Sequence, residues 1–266
     1  MINKNRSLFL QKADNVVAVT SGVGSMGKTW LAITLAHALN TLRRSVLLVD
    51  ADNGLLNIET QLGFENNTPL NQAVGGTLTL NQTISAINRR KLDVIVGRAG
   101  SDVLTSAPVG RLQLLKDDLL LTARNYNNVI IDLPVSEKVM THFLPQGSEL
   151  IVVCTDSPSN IVATYMFLQN YAQEDKCKNM QIVVNYAQSY EEGLQTYNTL
   201  RRACEKYISK TPSLLGVVRR DTRVRDAIRN RVLLLNRYPN SEAAEDVLQI
   251  AHKLLKYEEG AKNAEF

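Results

Sequence analysis

Lys28 and Thr29 close the run Gly22-Val23-Gly24-Ser25-Met26-Gly27-Lys28-Thr29, which fits GxxxxGK[ST] at every fixed position. These residue types at this spacing bind phosphate. Glycines let successive backbone N–H groups turn inward around phosphate oxygens. Lys28 can reach the β- and γ-phosphates of a nucleotide, and the Thr29 hydroxyl can ligate Mg2+. Three aspartates extend the set: Asp132 closes an apolar run at 128–132, Asp50 closes another at 45–50, and Asp52 lies two residues further on. A carboxylate placed as Asp132 is holds the Mg2+ shell, directly or through water. Of Asp50 and Asp52, one could orient that shell while the other positions an attacking water. In pure strand geometry the two would point to one face. The bland alternative, that strand-end aspartates only cap turns, suits one such residue better than three beside a phosphate loop.

The elements that must position these groups are legible as apolar runs and helical periods. Residues 16–19 read as a buried strand leading into the glycine loop. Trp30, Leu31, Ile33, Leu35, Ala36 and Leu39 mark the helix that follows. Strand, loop and helix in this order put the bound anion at a helix N-terminus. Further strands are expected at 45–49, 92–96, 128–132, 149–154, 181–185 and 214–218. Helices are expected at 70–74, 109–124, 158–171, 191–207, 222–230 and 242–257, with a Gly/Ser-rich loop at 97–107. The strands are continuously apolar, as when helices cover both faces of a sheet. The fold class is therefore α/β: a doubly wound, mostly parallel sheet of about seven strands flanked by helices, as in P-loop NTPases. Ligands of such sheets sit beyond the carboxyl ends of the strands. The glycine loop, Asp50, Asp52, Asp132 and Asn185 all fall there. The expected organisation is an arm at 1–14, one domain at 15–257 and a short acidic tail at 258–266.

Composition narrows the class further. The chain has 266 residues, 44% of them hydrophobic, and a net charge of +4, which permits an anionic partner without demanding one. Cys154, Cys177 and Cys204 form no CxxC pair and read as reduced thiols of a cytoplasmic protein. No apolar run approaches 18 residues and no signal-peptide pattern opens the sequence, so membrane contact would be peripheral. His37, His142 and His252 show no metal-ligand spacing. Ser21, Ser25 and Ser136 lack a recognisable base, which argues against nucleophilic catalysis. The arginines from Arg219 to Arg237 could dock an acidic partner or nucleic acid. Without interleaved aromatics, a solvated helix face paired to Asp221, Asp226 and Glu242 is the better reading, and nucleic-acid binding is not expected. The last helix places Val247, Leu248, Ala251, Leu254 and Leu255 on one face. The acidic segment beyond it lacks the pattern of a membrane anchor, so no strong membrane binding is expected.

The segments DADNGLLNIETQLGF (50–64), SPSNIVATY (157–165), VVN (183–185), LLGVVRRDTRVRDAI (214–228) and YPNSEAA (238–244) carry a resemblance. They resemble the MinD/ParA class of P-loop ATPases, and within it most the flagellar-number regulators of the FlhG/FleN kind. The resemblance runs from about Val16 to Leu255. It implies ATP/ADP and Mg2+ as cofactors and an ATP-dependent face-to-face homodimer. It also implies protein partners in the flagellar assembly or its transcription regulator, and recruitment to a cell pole by such partners. Carried over by position, Gly22, Gly24, Gly27, Lys28 and Thr29 match the phosphate cradle, with Lys28 and Asp52 in the catalytic places. Thr29, Asp50 and Asp132 match the Mg2+ set. Asn57 matches the switch I asparagine, Asn185 the asparagine that reads the adenine edge, and Asp221 lies in the segment that covers the base.

The departures from that pattern bear on turnover. The family loop reads KGGxGKT, whereas the same seven positions here are Val23-Gly24-Ser25-Met26-Gly27-Lys28-Thr29. Val23 replaces the lysine that reaches the other subunit's ATP, Ser25 replaces a glycine, and Ser136 stands where switch II ends in glycine. Ala163 stands where an aspartate is usual. A comparable trans-acting cation is worth about 10³–10⁵ in rate. The expected function is a nucleotide-binding, ATP-responsive protein-interaction switch for flagellar number or placement, with weak or lost hydrolysis. Two alternatives compete: a non-enzymatic docking module built on a degenerate fold, or a positioning factor for pili, a secretion system or the chromosome.

Overall fold

The computed structural model describes residues 13–52, 54, 57–63, 69–88, 91–172, 179–208 and 211–263. The sheet is built from β1 (Val16–Ser21), β2 (Val46–Asp50), β3 (Ser85–Asn88), β4 (Leu92–Ile95), β5 (Asn128–Asp132), β6 (Glu149–Cys154), β7 (Asn179–Ala187) and β8 (Ser213–Arg219). Among the described residues these strands run in the order β3-β4-β2-β5-β1-β6-β7-β8. Every neighbouring pair is parallel except β3 with β4. The α/β, mostly parallel sheet thus stands as expected, with one strand more. β3 reads Ser-Ala-Ile-Asn and is only half-buried. It carries no apolar run because it is an edge, where one side of the strand meets solvent.

The helices are α1 (Lys28–Thr41), α2 (Ile58–Leu62), α3 (Leu70–Gly75), α4 (Val103–Ser106), α5 (Val109–Ala123), α6 (Glu137–His142), α7 (Pro158–Ala172), α8 (Tyr190–Tyr207), α9 (Thr222–Arg229), α10 (Leu234–Arg237) and α11 (Glu242–Asn263). Alternate residues of one strand feed two cores. Val17 and Val19 of β1 pack with α1 and α11 through Leu31, Leu35, Leu39, Val247 and Ala251. Val16 and Ala18 pack on the other face with α5, α6, α7 and α8. This two-sided burial is the physical source of the uninterrupted apolar strands.

The segment 97–107, read as a loop, holds the single turn α4. The last helix runs to Asn263, past its expected end near 257. Val247, Ala251 and Leu254 are fully buried, so its apolar face docks on the domain. Among the described residues no helix is long and apolar enough to cross a membrane. The arm lies outside the described residues except for Ala13 and Asp14, and Ala13 is already buried in the core. Cys177 also lies outside them, and Cys154 and Cys204 are free and buried.

Candidate nucleotide-binding site

The loop between β1 and α1 is held in place from both sides. Gly27 caps α1 with φ +84°, a backbone shape that favours glycine. A Cβ there would lie 2.4 Å from the Asn185 side-chain nitrogen. That nitrogen donates to the Met26 carbonyl at 2.9 Å, so β7 clamps the floor of the loop. On the other side, a Cβ on Gly22 would meet the Ala163 backbone of α7 at 2.5 Å. Gly24 is different: nothing stands within 4 Å of its Cβ position. Ser25 adopts φ +63°. No acidic side chain occupies the first turn of α1 and no side chain caps it. The amide donors of that helix end are left for an anion.

The charged groups converge at the same end of the sheet. Lys28 Nζ lies 3.1 Å from Asp52 Oδ2, with the two side chains 7% and 28% exposed. The Thr29 hydroxyl donates to Asp132 Oδ2 at 2.6 Å. Asp50 and Asp132 are register partners on adjacent strands, and both are fully buried. Burial pushes the Asp132 carboxyl up to about 7; the Thr29 hydrogen bond and Lys28 oppose this, while Asp52 adds to it. Burial, and next the neighbouring Asp132, hold Asp50 well above the usual carboxylate range. Asp50 Oδ2 accepts from the Ile58 N–H. Asp50 Oδ1 and Asp132 Oδ1 have no hydrogen-bond partner. Two buried, unpartnered acceptor oxygens on neighbouring strand ends, one of them on the carboxyl that the Thr29 hydroxyl binds, fit a hydrated Mg2+ that takes its remaining ligands from phosphate and water. β2 ends at Asp50, so the two-residue alternation no longer applies at Asp52, which turns to Lys28 instead.

The remaining expected residues fall into two groups. Asn57 is fully buried and caps α2: its oxygen accepts from the Thr60 N–H at 3.0 Å, and its nitrogen donates to the Gly97 carbonyl at 3.0 Å. Both ends of its amide are thus spent on backbone. Asp221 caps α9 by accepting from the Arg223 N–H, while its Oδ2 is buried without a partner. It lines a cavity of about 480 Å3 with Asp156, Tyr186, Gln188, Arg220 and Arg225. Tyr186 escaped the sequence reading. It stands at φ +61° beside Gly27, where β7 slips its register against β8, and no sequence pattern marks such a tyrosine.

Ser136, at the place where switch II ends in glycine in the family pattern, sits at φ −142°, ψ 112°, a shape open to any residue, and caps α6. Val23 is 38% exposed, and with Gly22, Val135, Ala163 and Met166 it borders a second cavity of about 600 Å3. Arg219 forms a forked pair with Asp246 at 2.9 Å and reaches Glu242 at 2.7 Å, while Arg237 pairs with Asp226 at 3.3 Å. Both arginines are paired with carboxylates, Arg237 on an exposed face and Arg219 at the end of β8 with its side chain only 25% exposed. Trp30 is buried beside the loop.

A glycine loop at a helix N-terminus, a lysine, a hydroxyl and buried strand-end aspartates on a doubly wound sheet define a nucleotide-binding protein of the P-loop class. The model of the CobQ/CobB/MinD/ParA nucleotide binding domain matches residues 17–235, and the chain belongs to that family. It is 24% identical over 245 residues to the antiactivator FleN of Pseudomonas aeruginosa, covering 90% of this chain and 85% of that protein. It is 26% identical over 266 residues to the flagellum site-determining protein YlxH of Helicobacter pylori, covering 97% and 88%. The solved structure of the septum site-determining protein MinD with Mg-ADP from Pyrococcus horikoshii superposes with a TM-score of 0.72 at 20% identity, covering 90% of this chain and 95% of that one. At that identity the likeness is one of fold.

Proposed function

We propose that the chain binds ATP and ADP with Mg2+ and works as a nucleotide-responsive protein-interaction switch for flagellar number or placement, with slow or absent hydrolysis. The observation that carries this reading is a complete cradle whose mouth presents Val23 in place of a cation. Lys28 and the α1 N-terminus would hold the β- and γ-phosphates, with Gly22, Gly24 and Gly27 shaping the loop. Thr29, Asp50 and Asp132 would hold Mg2+, which supplies charge neutralisation on the phosphates. Asp52 would orient water. Asn185 would set the loop against the base side, where Asp221 lines the neighbouring cavity, and Asn57 would hold the switch segment in place.

The flagellar assignment is supported by the similarity to FleN and YlxH over nearly the whole chain. A protein-contact role is supported by the exposed apolar side chains Val23, Val135 and Met166, which border one cavity beside the loop. That face suits an ATP-dependent homodimer or a protein partner in the flagellar assembly. The proposed location is the cytoplasm, with partners recruiting the protein to a pole.

Light scattering with and without Mg-ATP tests the switch, with Lys28→Ala as control. Mass doubling that Lys28→Ala abolishes supports it, whereas nucleotide binding with no change in mass favours a docking module. Phosphate release tests turnover. The wild type should be slow, and Val23→Lys should raise the rate about tenfold or more, since a cation is returned to the transition state. Brisk wild-type turnover lost in Lys28→Ala would refute the slow-hydrolysis part. Flagellar counts in a deletion strain separate the flagellar role from other positioning roles.

A further inference from the structure

The Lys28 ammonium is the group expected to meet phosphate, yet here it already has an anionic partner. Its Nζ lies 3.1 Å from Asp52 Oδ2, and at 7% exposure the lysine has little water to fall back on. The Asp52 side chain is the more open of the two, at 28%. The segment that carries it is fastened on both sides. Before it, the Ala51 N–H donates to the Asp132 carbonyl at 2.9 Å. After it, Ile58 N–H is held by Asp50 and Asn57 by Gly97. Asp52 itself begins a tight turn, its carbonyl accepting from the Gly54 N–H at 2.7 Å. The backbone therefore sets the carboxylate against the lysine, and the contact is not a chance meeting of two long side chains.

We propose that Asp52 is an internal competitor for the phosphate-binding lysine, an autoinhibitory ion pair that an incoming polyphosphate must displace. The inference rests on the nucleotide-binding reading of the site. A lysine ammonium is a point charge with three donors and donates to a carboxylate or a phosphate oxygen alike. Breaking a half-buried pair with nothing in exchange is unfavourable, whereas exchanging the carboxylate for a phosphate oxygen keeps the charge satisfied. The exchange has two consequences. Affinity for any nucleotide is lowered by the free energy of the pair. Phosphate binding also frees the Asp52 carboxylate. The empty site is thereby held in one defined state, and phosphate binding and release of the carboxylate become one event.

The test is calorimetric titration with ADP in EDTA, so that neither Mg2+ nor hydrolysis enters. The variants are Asp52→Asn, Lys28→Met and the double variant, each checked for an unchanged melting profile. Asp52→Asn should bind ADP about tenfold more tightly than the wild type, and Lys28→Met more weakly. The gain should vanish in the Lys28→Met background, because only the lysine gives Asp52 something to compete for. Equal or weaker ADP binding by Asp52→Asn overturns the proposal. So does a gain of the same size in both backgrounds, which would mark plain repulsion between carboxylate and phosphate. If the wild type shows no binding but Asp52→Asn binds, the competitor role is supported in its strongest form. If neither binds, the nucleotide reading falls, and the inference with it.

Discussion

Gly27 and Ser25 are the two loop residues with positive φ, and they differ in how much substitution they could bear. Gly27 has φ +84° and no space for a Cβ, because the Asn185 amide fills it. Gly27→Ala is expected to expel Asn185 from the Met26 carbonyl, cost about 2–3 kcal/mol of stability and abolish nucleotide binding. Chemical denaturation and ADP titration measure both. Ser25 carries a side chain at φ +63° in an exposed position, so it bears strain of about 1 kcal/mol without any clash. A glycine at this place would adopt the same backbone shape without that strain. At Gly24 nothing crowds the Cβ position, and Gly24→Ala should leave the fold's stability within about 0.5 kcal/mol of wild type. A large loss of stability there would mean the loop is tighter than its geometry shows.

At the scale of elements, single polar side chains join segments that the chain keeps far apart. Asn57 links the N-terminus of α2 to Gly97, just beyond β4. Removing its amide deletes a cap and leaves a carbonyl unpaired, so Asn57→Ala should cost about 2–3 kcal/mol. A loss confined to nucleotide affinity, with unchanged stability, would instead argue that Asn57 acts on the ligand. Arg219 and Asp246 join the end of β8 to α11 through a charge-assisted fork. Asp246→Ala should cost about 2 kcal/mol and raise hydrogen exchange along α11. Arg219 precedes Arg220 and Asp221 of the 480 Å3 cavity, so the same variant should loosen that wall.

For the molecule as a whole, pH is the most direct probe of what the fold has buried. His37 lies in the α1 core with its Nδ1 unpartnered, and burial pushes its imidazole down to about 4. The fold therefore keeps it neutral, while the unfolded chain takes up a proton below the ordinary value of about 6.5. The stability that follows is fully present above pH 6.5 and is lost as pH falls toward 4, by about 2 kcal/mol at pH 5. Asp132 acts in the opposite sense. Its raised carboxyl contributes stability below the ordinary carboxylate value that is lost as pH climbs through about 7. The two oppose one another between pH 4 and 7. His37→Leu should accordingly gain on the wild type as pH falls from 8 to 5, by about 2 kcal/mol in denaturant titrations. A difference independent of pH would mean that His37 finds a partner for its proton inside the fold. Mg-ADP at a hundredfold excess over its dissociation constant should add about 2.7 kcal/mol, read as a rise in melting temperature.

The sequence alone was enough for the fold class, the positions along the chain of the strands buried on both faces, and the residues gathered at the carboxyl ends; the order of the strands in the sheet came from the tertiary structure. Each of these follows from local pattern: an apolar run, a helical period, a glycine loop ahead of a helix. Position along a parallel sheet then carries Lys28, Asp50, Asp132 and Asn185 to one end without knowledge of any contact. The edge strand β3 was illegible because a solvent-facing edge needs no apolar run. The helical turns at α2, α4, α6 and α10 have four to six residues, too little of a period to show one; α3 is equally short and was legible from the turn signals around it. Which groups touch was decided by tertiary structure alone. The pairing of Lys28 with Asp52, the backbone duties of Asn57 and Asn185, and the closeness of Gly22 to α7 all join residues remote in sequence. Their partners are selected by packing across the sheet, and spacing along a single chain carries no trace of that choice.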